Sequence, residues 1–184
     1  FERALLARGV PFAYAAGESL TESTHGASWI VCATAGGLKA DVFGQLRARA
    51  QKGCVVTIGP EVPTRDGSFR AMAKPHDVTG LELETLADEA RADALVARRI
   101  EELKLPTYPV DPEDVQVSVL EDDEGGARLV FVMNPLPSTT TARLSVGTAQ
   151  RLDEVFPGEG VLTRSGGGFD VAVAGRSVRI FSVA

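Results

Sequence analysis

The hydrophobic period changes along the chain, and that change limits what the chain can fold into. In the first third, apolar residues come as unbroken runs, Ser28 to Thr34 (SWIVCAT) and Cys54 to Ile58. Between them, Leu38, Val42, Leu46 and Ala50 recur at fourfold spacing within Leu38 to Lys52. Unbroken runs predict strands buried on both faces, and a helix joining two of them predicts a right-handed crossover in a small parallel sheet. In the last third the period falls to two. Val115, Val117 and Val119 alternate with Gln116 and Ser118, and Ala142, Leu144 and Val146 with Arg143 and Ser145. Phe169, Val171 and Val173 alternate with Asp170 and Ala172, and Ser177 to Val183 closes the series. With turn signals at Asp122 to Gly126, Pro135 to Ser138 and Ser165 to Gly168, about seven short strands predict an antiparallel β-sandwich. The expected fold is therefore α/β followed by all-β.

The remaining segments place the boundaries. Phe1 to Arg8 reads as a helix stopped by Gly9, and Pro11 to Ala15 as a short strand. Glu61 to Asp77 has no periodicity and reads as a long loop. Leu86 to Leu103 reads as a helix with Ala92, Val96, Ile100 and Leu103 on one apolar stripe, and Pro106 and Pro109 end it. Charge supports three parts, since residues 76–126 hold fifteen of the 25 acidic residues and only four of the 19 basic ones. We expect an α/β domain over 1–78, an acidic linker helix over 79–109 and a β-domain over 110–184. A formal charge of −6 argues against nucleic acid as a partner. Apolar runs this short argue against a membrane span. The chain starts at Phe1, inside an expected helix, so we read it as a piece of a longer protein.

Residues that carry chemistry are sparse. His25 and His76 stand alone, without metal-ligand spacing around them, and read as solvated loop positions. Cys32 lies inside an apolar run, before the Gly36-Gly37 break, and so lacks the strand-to-helix elbow of a nucleophile. Cys32 and Cys54 are expected to be buried free thiols, which suits a reducing, cytoplasmic setting. Ala35-Gly36-Gly37 lacks the spacing and lysine of a phosphate loop. Glu121-Asp122-Asp123-Glu124 lacks the alternation of a calcium loop and reads as a hairpin turn. Trp29, Tyr14, Phe43 and Phe131 fall on apolar positions and are expected in cores, whereas Tyr108 and Phe156 lie nearer loops. No metal or cofactor is expected. The stretch Gly59 to Gly67 (GPEVPTRDG) leaves the carboxyl end of an expected parallel strand, where open α/β sheets bind ligands. Glu61, Arg65 and Asp66 are the candidate ligand or cleft-rim residues. The plainer reading is that Arg65 and Asp66 pair with each other locally and the prolines stiffen the loop.

Two blocks together resemble a known family. The first is VPFAYAAGESL, SWIVCATAGGL and FGQLRARAQKGCVVTIGP. It resembles the amidotransferase-like, flavodoxin-like α/β domain of microbial β-galactosidases of glycoside hydrolase family 42 and their relatives. The second is ARLVFVMNPLPSTTTARLSV, LDEVFPGEG and FDVAVAGRSVRIFSV, with its Phe-Val-x-Asn-Pro and Ser-Val-Arg-x-Phe strands. It resembles the C-terminal β-domain of such enzymes. The resemblance implies a non-catalytic C-terminal segment whose catalytic glutamates lie on an N-terminal (β/α)8 barrel outside these residues. It also implies a role in supporting that barrel and a trimeric assembly. The rival expectation is a module that binds carbohydrate or another small ligand directly. A third, a stand-alone amidotransferase-like enzyme, requires an exposed Cys32 of low pKa.

Overall fold

We describe residues 1–34, 36–74, 76–84, 88–122 and 124–184 of a computed structural model, without the side chains of Glu18 and Thr21. They form two compact units, Ala13–Leu95 and a second made of Phe1–Phe12 with Val96–Ala184.

The second unit begins with α1 (Glu2–Ala7). Helix α1 was expected to open the domain over 1–78, but it clusters with the β-rich residues instead. The cause lies at Gly9, whose φ is +61° and whose carbonyl accepts the Tyr108 N–H at 2.7 Å. A Cβ at Gly9 would stand 2.1 Å from the Tyr108 carbonyl oxygen, so only glycine permits this approach.

Pro11 to Ala15, across the start of the Ala13–Leu95 unit, forms no strand, and Tyr14 is 76% exposed rather than in a core. The short turns Gly17–Ser19 and α2 (Leu20–Ser23) follow, then β1 (Trp29–Thr34), α3 (Ala40–Gln51), β2 (Val55–Pro60) and β3 (Glu82–Leu83). The strands are parallel, in the order β1-β2-β3, with Trp29 opposite Val55 and Thr57 opposite Glu82. The expected parallel sheet is thus present, with one correction. Only β2, the central strand, is buried on both faces; β1 is an edge strand whose Val31 and Cys32 stay half-exposed. Ile30, Val56 and Ile58 meet Phe43 and Leu46 of α3 in the core, and Leu38, Val42 and Ala50 pack at its margin. Thr57 is fully buried because its hydroxyl accepts the Trp29 Nε1–H at 3.0 Å and donates to Glu82 at 3.3 Å.

Helix α4 (Glu89–Leu103) begins in that unit and ends in the other. Leu86, the expected start, lies outside the described residues. The Asp88 carboxylate accepts the Arg91 N–H at 2.9 Å and caps the helix. The buried stripe is Ala92, Leu95, Val96 and Arg99 rather than one reaching Ile100 and Leu103.

The β unit contains β4 (Val110–Asp111), β5 (Gln116–Glu121), β6 (Ala127–Asn134) and β7 (Thr140–Leu144). After them come β8 (Arg151–Phe156), β9 (Val161–Thr163), β10 (Phe169–Val173) and β11 (Ser177–Val183). A five-stranded sheet, β5-β6-β11-β8-β9, and a three-stranded sheet, β10-β7-β4, are antiparallel throughout. Their inward residues share one core, with Val117, Val130, Val132, Leu152 and Phe181 from one sheet and Leu144, Phe169 and Val171 from the other. The predicted two-period division is therefore real. Asn134, 1% exposed, ties the sheets together: its Nδ2 donates to the carbonyls of Val173 on β10 at 2.9 Å and Ser138 at 2.8 Å. Its Oδ1 accepts the Leu136 N–H at 3.0 Å, so the same side chain shapes the Pro135 turn. Among the described residues, no helix is long and apolar enough to cross a membrane.

Candidate functional site

The carboxyl ends of β1 and β2 carry the candidate loop. It is better ordered by its own bonds than an aperiodic sequence suggests. Arg65 forms single bridges, parallel to Gly37 and antiparallel to Ala71, outside the sheet. The Gly36 carbonyl accepts the N–H groups of Thr64 at 2.9 Å and Arg65 at 3.0 Å, and Leu38 N–H donates back to Arg65 at 3.1 Å.

Within this frame the three candidate residues have different tasks. The Asp66 carboxylate accepts the N–H groups of Ser68 at 2.8 Å and Arg70 at 2.9 Å, which closes the 66–70 turn. Arg65 donates from Nη1 to the Phe69 carbonyl at 3.1 Å. The plainer expectation paired these two side chains with each other; here each bonds to the loop's backbone instead. Glu61 is exposed and lies against Gly36, where a Cβ would stand 2.7 Å from its carboxylate oxygen. Gly36 has φ +84°, and this conformation is what calls for glycine, since the exposed Glu61 side chain could swing aside. Ala35, the first residue of the Gly-Gly break, lies outside the described residues.

The residue these bonds display is Phe69, which sequence reasoning passed over. It has φ +60°, sits in the left-handed region without being glycine, and is 59% exposed. Such a conformation costs about 1–3 kcal/mol and persists only where neighbours enforce it. Here the Asp66 carbonyl accepts the Phe69 N–H at 2.9 Å while Arg65 holds its carbonyl. The ring lies over Gly37, where a Cβ would be 3.1 Å from its edge. The only sequence signal was Asp66-Gly67, a turn dipeptide two residues ahead.

Around the loop, His76 departs from the expected solvated position. Its ring stacks on Phe43 at 4.2 Å and 9°, with Nε2 3.4 Å from the Leu38 carbonyl. His25 is exposed, as expected. Asp77 sits 3.2 Å from Arg47, and bonds from Thr79 together with that guanidinium hold its carboxyl below the usual range. Pro75, beside His76, lies outside the described residues. Cys32 stands mid-strand opposite Ile58, and Cys54 just before β2. Both thiols are free and half-buried, and burial raises both above the ordinary thiol value. That is the opposite of an activated nucleophile.

The β unit offers less chemistry. Phe131 is half-exposed rather than in the core, because it alternates with the inward Val130 and Val132, and Phe156 is 51% exposed. Tyr108 is 6% exposed, and its hydroxyl donates to Glu121 at 2.5 Å. Burial, then that carboxylate, raises its pKa. In the acidic run, Asp122 accepts the N–H groups of Gly126 at 2.8 Å and Glu124 at 3.0 Å and pairs with Arg128 at 2.7 Å, as a hairpin turn would. Asp123 lies outside the described residues. A cavity of about 260 Å³ is lined by Asp111, Arg143 and Gly166 to Gly168. Its guanidinium is turned to Asp170 at 2.8 Å and to the carbonyls of Ser165 and Gly166. Among the described residues, no three His, Cys, Asp or Glu side chains gather as a metal site.

No protein-family profile and no curated protein matches the sequence. Solved structures do match the fold. An apo exo-carrageenase GH42 from Bacteroides ovatus superposes with a TM-score of 0.61 at 14% identity, covering 100% of this chain and 26% of that one. Gan42B, a GH42 β-galactosidase from G. stearothermophilus, gives 0.64 at 11% identity over 98% of this chain and 35% of its own. Its E323A catalytic mutant gives 0.66 at 10% identity, with 99% and 35% covered. This chain therefore has the fold of a segment of GH42 enzymes and spans a quarter to about a third of their length.

Proposed function

We propose that this chain is the C-terminal, non-catalytic segment of a β-galactosidase-like glycoside hydrolase. The observation that carries the reading is one of extent. Fold likeness runs over 98–100% of this chain, across both units, yet fills only 26–35% of each GH42 structure. A shared single unit would be weaker support, because common folds host many functions. On this reading the α/β unit is the amidotransferase-like domain within a proposed segmentation of 1–78, 79–109 and 110–184, with α1 of the first segment packing against β5 of the third. Its elevated, half-buried Cys32 thiol supports a domain without amidotransferase chemistry. The segment buttresses the catalytic barrel and the subunit contacts of a trimer. The loop Gly59 to Asp66, with Glu61, Arg65 and Asp66, forms part of the cleft rim, with Phe69 as its projecting ring. Free thiols at Cys32 and Cys54 favour a cytoplasmic setting.

A galactosidase assay on the parent protein and on this chain, side by side, tests the reading. Hydrolysis by the parent alone is the expected result, and turnover by the chain alone overturns it. One observation favours a second reading, direct sugar binding by the loop: the exposed Phe69 ring beside polar side chains. Calorimetric titration of the chain with galactose and a galacto-oligosaccharide separates the two, since heat lost on Phe69→Ala supports the second.

A further inference from the structure

The two sheets of the β unit differ in a way their inner faces do not require. An antiparallel sheet with one face in the core ordinarily turns polar residues outward. The three-stranded sheet does so, presenting Thr141, Arg143 and Asp170. The five-stranded sheet does so only in part: Gln116, Ser118, Asp153 and Ser182 face outward, but an apolar patch lies among them. Its register sets Phe131 opposite Ile180 and Ile180 opposite Phe156, one apolar row across three strands on the outer face. Met133 opposite Val178 forms the adjoining row. Their neighbours Val130, Val132 and Phe181 are fully buried and point inward, so these residues point out by alternation. Phe131, Met133, Val178 and Ile180 are half-buried. At the margins Leu120, Val155, Phe156 and Val161 are 51–55% exposed. The bulge between Ile180 and Phe181 brings Phe156 onto this face rather than the core face.

We propose that this outer face is the surface by which the segment docks onto the remainder of its own parent polypeptide. The inference rests on the reading given under Proposed function and adds the place of contact. A contiguous apolar face of this kind marks an interaction site. The extent of the likeness identifies the occupant. In the three GH42 structures the fold is covalently part of a chain about three to four times as long, so same-chain surface is available at high effective concentration. A second copy of this chain is the rival occupant.

The test uses the natural full-length polypeptide carrying F156C, V161C or, as control, A172C on the polar outer face of the other sheet. Maleimide labelling is read peptide by peptide by mass spectrometry, apart from Cys32 and Cys54. All three positions are exposed in this chain, so the variants are expected to fold, and circular dichroism checks that they do. The expected result is labelling of F156C and V161C at least tenfold slower than A172C, unchanged on hundredfold dilution. Labelling as fast as A172C overturns the proposal. Protection that disappears on dilution also overturns it, in favour of a second copy. Persistent protection in a parent that hydrolyses no glycoside keeps the docking face and defeats the glycoside hydrolase reading instead.

Discussion

Asn134→Ala removes a side chain that closes three hydrogen bonds in the β unit. Two are donations, to Val173 at 2.9 Å and Ser138 at 2.8 Å; the third is the acceptance of Leu136 N–H at 3.0 Å. The three partners are not equal. Ser138 is exposed and Leu136 half-buried, so water can replace the amide there. Val173 is fully buried in the core, and a buried carbonyl left unpaired costs about 1–3 kcal/mol. Adding about 1 kcal/mol for the two hydratable partners, a loss of about 2–4 kcal/mol is expected. Asn134→Asp keeps the acceptor but turns a carboxylate toward two carbonyls, so at neutral pH it should cost more than alanine. Urea unfolding followed by tryptophan-independent circular dichroism gives both values, with the slope unchanged if the variants affect only the native state. An alanine loss below about 0.5 kcal/mol, or an aspartate variant as stable as wild type, would refute the claim that this amide joins the sheets.

Further outcomes follow from other named contacts. Glu154, its side chain 6% exposed, pairs with Arg179 through bonds of 2.6 and 2.7 Å. Arg179, then the Gly160 N–H, holds its carboxyl below the usual range. A carboxyl depressed in the folded state stabilises above its unfolded pKa of about 4.3, and that contribution fades as pH falls through the lower folded value. Wild type should therefore lose stability more steeply below about pH 4.5 than Glu154→Gln, as read by unfolding midpoints at successive pH values. Gly59→Ala places a methyl 2.1 Å from the Glu84 carbonyl and should cost about 1–3 kcal/mol, seen as early unfolding of the α/β unit by fluorescence of Trp29. Phe69→Gly relieves a positive φ, so thermal stability should hold or rise by about 1 kcal/mol. If the ring serves the cleft, the same variant in the parent should raise KM several-fold; a less stable variant with unchanged KM would show that the ring serves packing instead.

The parts of this protein legible in its sequence are those set by short-range periodicity. The core valines of β5 and the inward residues of β7 and β10 were identifiable because a half-buried strand must alternate, and Gly9 because helices end where left-handed backbone is cheap. The loop does follow β2, but Asp66 closing its turn through backbone two and four residues on was not read from the sequence, which suggested a pair with Arg65.

What tertiary structure alone decided were matters of which distant residues meet. That α1 clusters with the β unit depends on Tyr108 reaching Gly9, about a hundred residues away in sequence. That β1 is an edge and β2 central depends on β3, two residues long and carrying no pattern of its own. His76 finds Phe43, and Phe69 is forced to a positive φ, through bonds that span the loop. Most of all, alternation sorts residues into two faces without saying what covers either one. Phe131 and Val132 are both apolar, and only the second sheet, packed on one side, makes Val132 core and leaves Phe131 on the outer face.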